Sequence, residues 1–311
     1  MPKVLFADND FPEFELERSL FGDAGIDLAS AQCKSEDDVI AAARDCEAIL
    51  LQYAPIGARV IASLPELGLV SRIGAGFDTV DTAACEAHGV WVANSPDYGV
   101  GEVATHALGL ALASLRNLLR FDADVHRGKW HYLSGGTIAR ASELSLGIVG
   151  LGRIGKRMAH VSRDVFKRVL AFDPYLIDGD FPAFVARARS LAELAAQSDV
   201  VSLHTPLNPE TRGMTLVNTS RGAVVDIEAL VRALADGVLR GAALDVLPVE
   251  PVPHASPLLA DPRIILTPHA AFYSVEAERE LRVKAARNIA SWLEHGRPDY
   301  PVVHGTRKPP S

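Results

Sequence analysis

The run Gly150-Leu151-Gly152-Arg153-Ile154-Gly155 sets three glycines at the spacing G-x-G-x-x-G. It follows the apolar stretch Leu146 to Val149 and precedes a helical pattern from Lys156 to Phe166. In a strand–turn–helix setting this spacing suits the pyrophosphate of a dinucleotide. Gly150 permits the tight turn, Gly152 lets the backbone approach a phosphate, and Gly155 lets the helix pack on the sheet. Free N–H groups at the helix start then meet the anion, so Arg153 and Ile154 are counted with this site. Asp173 stands about twenty residues past the glycines, after the apolar run Val169 to Phe172. A carboxylate there accepts hydrogen bonds from the adenosine ribose and repels a ribose 2′-phosphate, so the pattern points to NAD over NADP. Asp173 also precedes Pro174 and could cap the next turn; the two roles do not exclude each other.

Holding those groups in place takes a layered fold. Early in the chain, Lys3 to Ala7, Ala48 to Gln52, Leu69 to Ile73 and Val90 to Ala93 read as strands. Helical patterns lie at Pro12 to Ala24, Ser35 to Arg44, Ala58 to Leu64 and Thr82 to His88. Strands alternating with helices imply a mostly parallel sheet. Gly101 to Phe121 reads as one long Ala/Leu-rich helix, followed by a polar arm from Asp122 to Ser142. A second alternating series has strands at Leu146 to Val149, Arg168 to Phe172, Asp199 to His204, Thr215 to Asn218, Gly241 to Asp245 and Arg263 to Thr267. A helix from Ser274 to His295 closes it, and the tail from His304 is expected to be loose. The pattern predicts an α/β chain of two Rossmann-like, doubly wound parallel-sheet domains. The nucleotide domain, residues 99–274, is inserted in a domain made of residues 1–98 and 275–311.

One connection does not fit. Only about ten residues join the strand ending at His204 to the one starting at Thr215, and a parallel crossover with its helix takes roughly a dozen or more. Pro206, Pro209 and Gly213 prevent a helix there. Either this unit is degenerate or residues are absent between Arg212 and Gly213.

The 311 residues are 48% hydrophobic and 23% charged, proportions that exclude disorder, collagen and coiled coil. The net charge of −8 speaks against a nucleic-acid or anionic-membrane partner. Cys33, Cys46 and Cys85 form no C-x-x-C pair, so neither a disulfide framework nor a metal site is expected, and the cytoplasm fits. No signal peptide is expected at the N-terminus. No stretch reaches the roughly 18 apolar residues of a membrane span.

Taken in order, the motifs carry a family resemblance. RIGAGFDTVD (Arg72 to Asp81), GLGRIG, SDVVSLHTPLNPETR (Ser198 to Arg212), LVNTSRGAVVD (Leu216 to Asp226), GAALDVLPVEP (Gly241 to Pro251) and TPHAA (Thr267 to Ala271) resemble the signatures of the D-isomer-specific 2-hydroxyacid dehydrogenases. The similarity runs from about Val4 to Trp292. The chain looks closest to the C-terminal-binding-protein branch, then to phosphoglycerate and glyoxylate/hydroxypyruvate enzymes. The Trp that the family carries after P-H-A-A is Phe272 here. The resemblance implies NAD-linked interconversion of a 2-oxo acid and a D-2-hydroxy acid, in a cleft between domains. It also implies a homodimer formed through the helix from Gly101 and the arm through Trp130. The alternative is an NADH-responsive dimeric scaffold. The glycine motif begins mid-chain and none of the six tyrosines has Lys four residues on, which excludes the short-chain dehydrogenase layout.

Such a reaction moves a hydride to or from nicotinamide and a proton to or from the substrate hydroxyl. A base that titrates near neutrality suits the second task, and histidine is that base. His269 follows the strand ending at Thr267, where α/β sites sit. Glu250 follows the strand ending at Asp245 and is placed to favour the charged imidazole. Arg221 follows the strand ending at Asn218, and a guanidinium holds a carboxylate through two N–H groups where an ammonium cannot. In the family these positions form the catalytic Arg–Glu–His set; formate dehydrogenases of the superfamily lack the Glu. The family's substrate loop corresponds to Ile73, Gly74, Ala75 and Gly76, whose N–H groups form an anion nest. Gln52 and Tyr53 border the same pocket. Thr105, His204, Thr205, Pro206, Thr219 and Asp245 are expected beside the cofactor together with Arg221 and His269, Asp245 near the nicotinamide amide. The other histidines, His106 among them, read as structural or surface residues.

Overall fold

The computed structural model describes residues 1–204 and 214–309. Its elements begin with β1 (Lys3–Phe6), α1 (Glu15–Asp23), β2 (Asp27–Ser30), α2 (Glu36–Ala42), β3 (Ala48–Leu51), α3 (Ala58–Ser63), β4 (Leu69–Arg72), α4 (Thr82–Ala87) and β5 (Trp91–Ala93). They continue with α5 (Val100–Leu115), α6 (Leu118–His126), β6 (Ser145–Val149), α7 (Arg153–Ser162), β7 (Arg168–Phe172), β8 (Val185–Arg187), α8 (Leu191–Ala196) and β9 (Val200–Leu203). The last are β10 (Met214–Asn218), α9 (Ile227–Ala235), β11 (Leu239–Leu244), β12 (Ile264–Leu266), α10 (Val275–His295) and β13 (Pro301–Val303). The chain divides into two compact units, Met1–Tyr98 with Ser274–Ser311, and Gly99–Tyr273.

Each unit is an α/β layer structure on one sheet. The first sheet has the order β13-β5-β4-β3-β1-β2, parallel except for β13 against β5. The second has the order β12-β11-β10-β9-β6-β7-β8 and is parallel throughout. Both wind outward in two directions from their first strand, as a doubly wound Rossmann-like fold does. Strands covered on both faces read as continuous apolar runs rather than alternating ones; β3 is such a run, as is β6 from Leu146 onward, while β9 is broken by buried Ser202. Two apolar clusters form in the second unit, one including Leu146, Met158 and Val217, the other Leu170, Leu216 and Leu230. Ser274 caps α10 by accepting the Ala277 N–H, and Gly296 ends it at φ +77.

Four expectations change. The stretch from Gly101 is two helices, because Asn117 at φ +50 breaks it and donates its amide to the Gly135 carbonyl at 2.7 Å. Asparagine tolerates the left-handed conformation, and its bond turns the arm back toward α6. The start of the polar arm, Asp122 to His126, is accordingly the end of α6. Strands β2, β8 and β13 were hidden in the sequence: each is short, and β13 begins with a proline that only an edge strand admits. The tail is not loose. Arg307 donates to the carbonyls of Leu64, Pro65 and Leu67, while the Thr306 and Arg307 N–H groups donate to Gly89. The parallel pairing of β9 with β10 is present, but its connection, and with it the question of residues absent between Arg212 and Gly213, lies outside the described residues. Among the described residues no helix is long and apolar enough to cross a membrane.

Candidate active site

In the second unit the described site residues stand after the C-terminal ends of parallel strands, except Thr105, which lies on α5. Across the sheet they run His269 after β12, Asp245 and Glu250 after β11, Arg221 after β10, His204 after β9, the glycine turn after β6 and Asp173 after β7. At about 4.8 Å per strand this row spans about 24 Å, a length suited to an extended dinucleotide with a small acid at one end. The sheet reverses its winding between β6 and β9, where α/β folds bind ligands.

The glycine turn is built as its spacing demands. Gly150 sits at φ +87, a conformation that side chains disfavour. A Cβ on Gly155 would run into the Gly150 carbonyl, so the helix start can lie this close only with glycine. A Cβ on Gly152 would meet nothing within 4 Å, which leaves the approach to the turn open. Asp173 is buried; its Oδ2 accepts the Leu151 N–H at 2.9 Å and its Oδ1 the Tyr175 N–H at 3.0 Å. The carboxylate thus braces the glycine turn and caps its own, and each oxygen keeps a further lone pair. Arg153 is exposed at the start of α7, with Ile154 half-buried beside it.

The loops after β11 and β12 converge on Asp245, which is buried. Its Oδ1 accepts from Thr267 Oγ1 at 2.6 Å and from the Ala270 N–H at 2.9 Å, and its Oδ2 accepts the Ala271 N–H at 3.0 Å. Its carbonyl accepts the His269 N–H at 2.8 Å. These bonds hold His269 at φ +53, a conformation that costs a non-glycine residue about 1–2 kcal/mol. His269 Nδ1 lies 2.8 Å from Glu250 Oε2, and Glu250 Oε1 accepts the Leu247 N–H at 2.7 Å. A carboxylate only accepts, so Nδ1 carries the proton and Nε2 faces away from the pair.

Arg221 lies exposed in the turn after β10, its Nη1 donating to the Ser220 carbonyl at 2.9 Å. Buried Asn218 shapes that turn by donating to the Arg221 carbonyl and accepting from Ser220. Gly222 is pressed so closely on the Leu247–Pro248 backbone that no Cβ fits, which joins the Arg221 turn to the Glu250 loop. Thr219 Oγ1 is buried with no hydrogen-bond partner among the described residues. His204 contacts Ser202 Oγ at 3.1 Å, and desolvation lowers its pKa to about 4, so the ring is neutral. The Thr105 hydroxyl bonds back to the Gly101 and Glu102 carbonyls of its own helix. Thr205 and Pro206 lie outside the described residues.

In the first unit Asp8, after β1, is the organiser that the sequence did not reveal. Its carboxylate accepts the Gln52 N–H at 3.0 Å and the Tyr53 N–H at 2.6 Å. Its signal was the same one that marked Asp173, an acid just past a strand end. The Tyr53 hydroxyl accepts from Gln52 and donates to Asp10; desolvation, then Asp10, push its pKa up to about 12. Gly74 takes φ +143, and a Cβ there would collide with the Arg72 guanidinium. Ala75 is exposed and Gly76 half-buried beyond it.

The second unit fits a dinucleotide on its own features: an open glycine turn, a helix start behind it, and an orphaned hydroxyl on Thr219. Residues 108–271 match the family described as D-isomer specific 2-hydroxyacid dehydrogenase, NAD binding domain. The chain belongs to the D-isomer specific 2-hydroxyacid dehydrogenase family. It is an oxidoreductase with NAD as cofactor. It is 33% identical to a glyoxylate reductase of Korarchaeum cryptofilum over 275 residues, 83% of this chain and 83% of that one. It is 33% identical to a D-3-phosphoglycerate dehydrogenase of Mycobacterium tuberculosis over 304 residues, 93% of this chain but 56% of that protein. Among solved structures, an NADPH-dependent glyoxylate/hydroxypyruvate reductase of Sinorhizobium meliloti, in complex with NADP and malonate, superposes with a TM-score of 0.84. It is 26% identical, and the match covers 99% of each chain.

Proposed function

We propose that this enzyme reduces a small 2-oxo acid to the D-2-hydroxy acid, reversibly, with His269 as the acid and base. The observation that carries the reading is the 2.8 Å His269–Glu250 pair on the loops after β12 and β11, in the same unit as the glycine turn. NAD, when bound, supplies or accepts the hydride. In reduction His269 Nε2 gives its proton to the carbonyl oxygen as C2 gains the hydride; in oxidation the same nitrogen takes the hydroxyl proton. Glu250 keeps Nδ1 protonated and fixes the ring plane. Arg221 offers a planar pair of donors to the substrate carboxylate and polarises the carbonyl.

The remaining roles follow from position. Gly150, Gly152, Arg153, Ile154 and Gly155 take the pyrophosphate, Asp173 the ribose, and Thr219, with its orphaned hydroxyl, a cofactor oxygen. Asp245 and Thr105 are assigned beside the nicotinamide. The first unit is the substrate unit, with Tyr53, Gly74, Ala75 and Gly76 holding the acid, and the inserted unit is the NAD unit. Buried, free Cys33, Cys46 and Cys85 suit a reducing compartment such as the cytoplasm.

A panel of 2-oxo acids with NADH tests the reading, with glyoxylate and hydroxypyruvate first because relatives carry those names. Turnover on at least one acid, lost in His269→Ala, is expected. NADH binding without turnover on any acid would overturn the catalytic role and leave the scaffold reading.

A further inference from the structure

Two carbonyls of the Gly74–Gly76 turn are held by consecutive residues of the first unit. The Ser95 N–H donates to the Gly74 carbonyl at 3.0 Å, and the Asn94 side-chain amide donates to the Ala75 carbonyl at 2.7 Å. A trans peptide is planar, with its C=O and N–H pointing in opposite directions. Fixing the Gly74 carbonyl toward Ser95 therefore turns the Ala75 N–H away from it. Fixing the Ala75 carbonyl toward Asn94 turns the Gly76 N–H away in the same manner. Among the described residues, neither N–H has a hydrogen-bond partner.

The anchor behind these bonds is rigid. Ser95 and Asn288 are fully buried. Ser95 Oγ donates to the Leu281 carbonyl of α10 at 3.0 Å. The Asn288 amide donates to the Asn94 carbonyl at 2.8 Å, and its oxygen accepts the Tyr300 N–H at 2.9 Å. The Asn94 N–H in turn donates to the Tyr300 carbonyl at 3.2 Å. The Asn94 backbone is thus fixed by bonds that its side chain does not make, and the side chain is left to serve the turn.

We propose that Asn94 is a positioning residue for the substrate: its amide locks the Ala75–Gly76 peptide so that the Gly76 N–H is presented to the carboxylate of the 2-oxo acid. The proposal rests on the substrate role assigned to this turn. Asn94 acts through the peptide and does not itself touch the acid. Aspartate has the same shape but no N–H, and its charge repels both the Ala75 carbonyl and an incoming carboxylate.

The test uses the whole protein and the variants Asn94→Ala and Asn94→Asp. Three quantities are measured: KM for glyoxylate, the inhibition constant of oxamate (a mimic that accepts no hydride), and the Kd of NADH. The KM and the oxamate constant should rise together by roughly ten-fold or more, further for Asp than for Ala, because the Gly76 N–H, a donor to a charged group, is no longer held toward it. The NADH Kd should stay within a factor of two, and so should kcat at saturating glyoxylate in Asn94→Ala. Unchanged KM and oxamate constants in folded variants overturn the proposal. Loss of the fold in both variants overturns it too, since the amide would then be a prop of the unit. If the unaltered protein reduces no 2-oxo acid, oxamate binding measured by calorimetry still reads the turn. Oxamate bound by the unaltered protein and ten-fold more weakly by Asn94→Ala supports the role of Asn94 while the catalytic reading fails. No binding by the unaltered protein ends both.

Discussion

At the scale of single residues, His269 gathers the most constraints. Its ring is held by Glu250, its N–H by the Asp245 carbonyl, and its backbone sits at φ +53. Strain of this kind clusters at functional sites because the surroundings must over-determine it. His269→Ala should lower turnover by roughly 10²–10⁴-fold, with NADH affinity little changed. Turnover within a factor of three of the unaltered enzyme would remove the assignment. Asp173 carries a second prediction. Its charge should make NADH bind much better than NADPH, and Asp173→Asn, which keeps an acceptor for the glycine turn, should narrow the gap. Equal Kd values for the two cofactors in the unaltered protein would contradict the ribose role. The glycines were legible because only their residue type meets the backbone's demand. The left-handed histidine was not, since its conformation is imposed by a carboxylate more than twenty positions away in the chain.

At the scale of elements, the long buried strands were legible and the edges were not. A strand such as β3 is a continuous apolar run because both faces are covered, whereas β2 is mostly exposed and carries no such signal. Helix boundaries failed where a side chain bonds across the structure, as Asn117 does to Gly135. The tail failed for the same reason, since Arg307 finds its partners some 240 positions earlier in the chain. Its Nη1 closes the end of α3, where carbonyls are left over, and its Nε donates to the His88 carbonyl. Arg307→Ala should destabilise the protein by about 1–3 kcal/mol, because bonds from a charged donor to half-buried carbonyls are lost together. The urea midpoint measures this. An unchanged midpoint would mean that the tail rests on the unit without stabilising it.

At the scale of the whole molecule, the two-sheet architecture was legible from the rhythm of strands and helices, while the assembly has to be argued from surface. The stretch from α6 into the arm presents Leu118, Leu119, Val125, Trp130, Tyr132 and Leu133, with Trp130 87% and Tyr132 80% exposed. A run of large apolar side chains left in water marks an interaction surface. Scattered single residues would not. A second copy of the chain is the proposed occupant, joined through α5, α6 and the arm. Cyclic pairing places one patch against the same patch on its partner, so each substitution acts twice at the interface. Trp130→Ser combined with Leu133→Ser should therefore convert a dimer into a monomer, read by light scattering at micromolar concentration. Both side chains are exposed within one chain, so the unfolding midpoint of the isolated subunit should barely move. If the unaltered protein is already monomeric at high micromolar concentration, the arm does not serve pairing. Its apolar side chains would then have to be covered by a different protein.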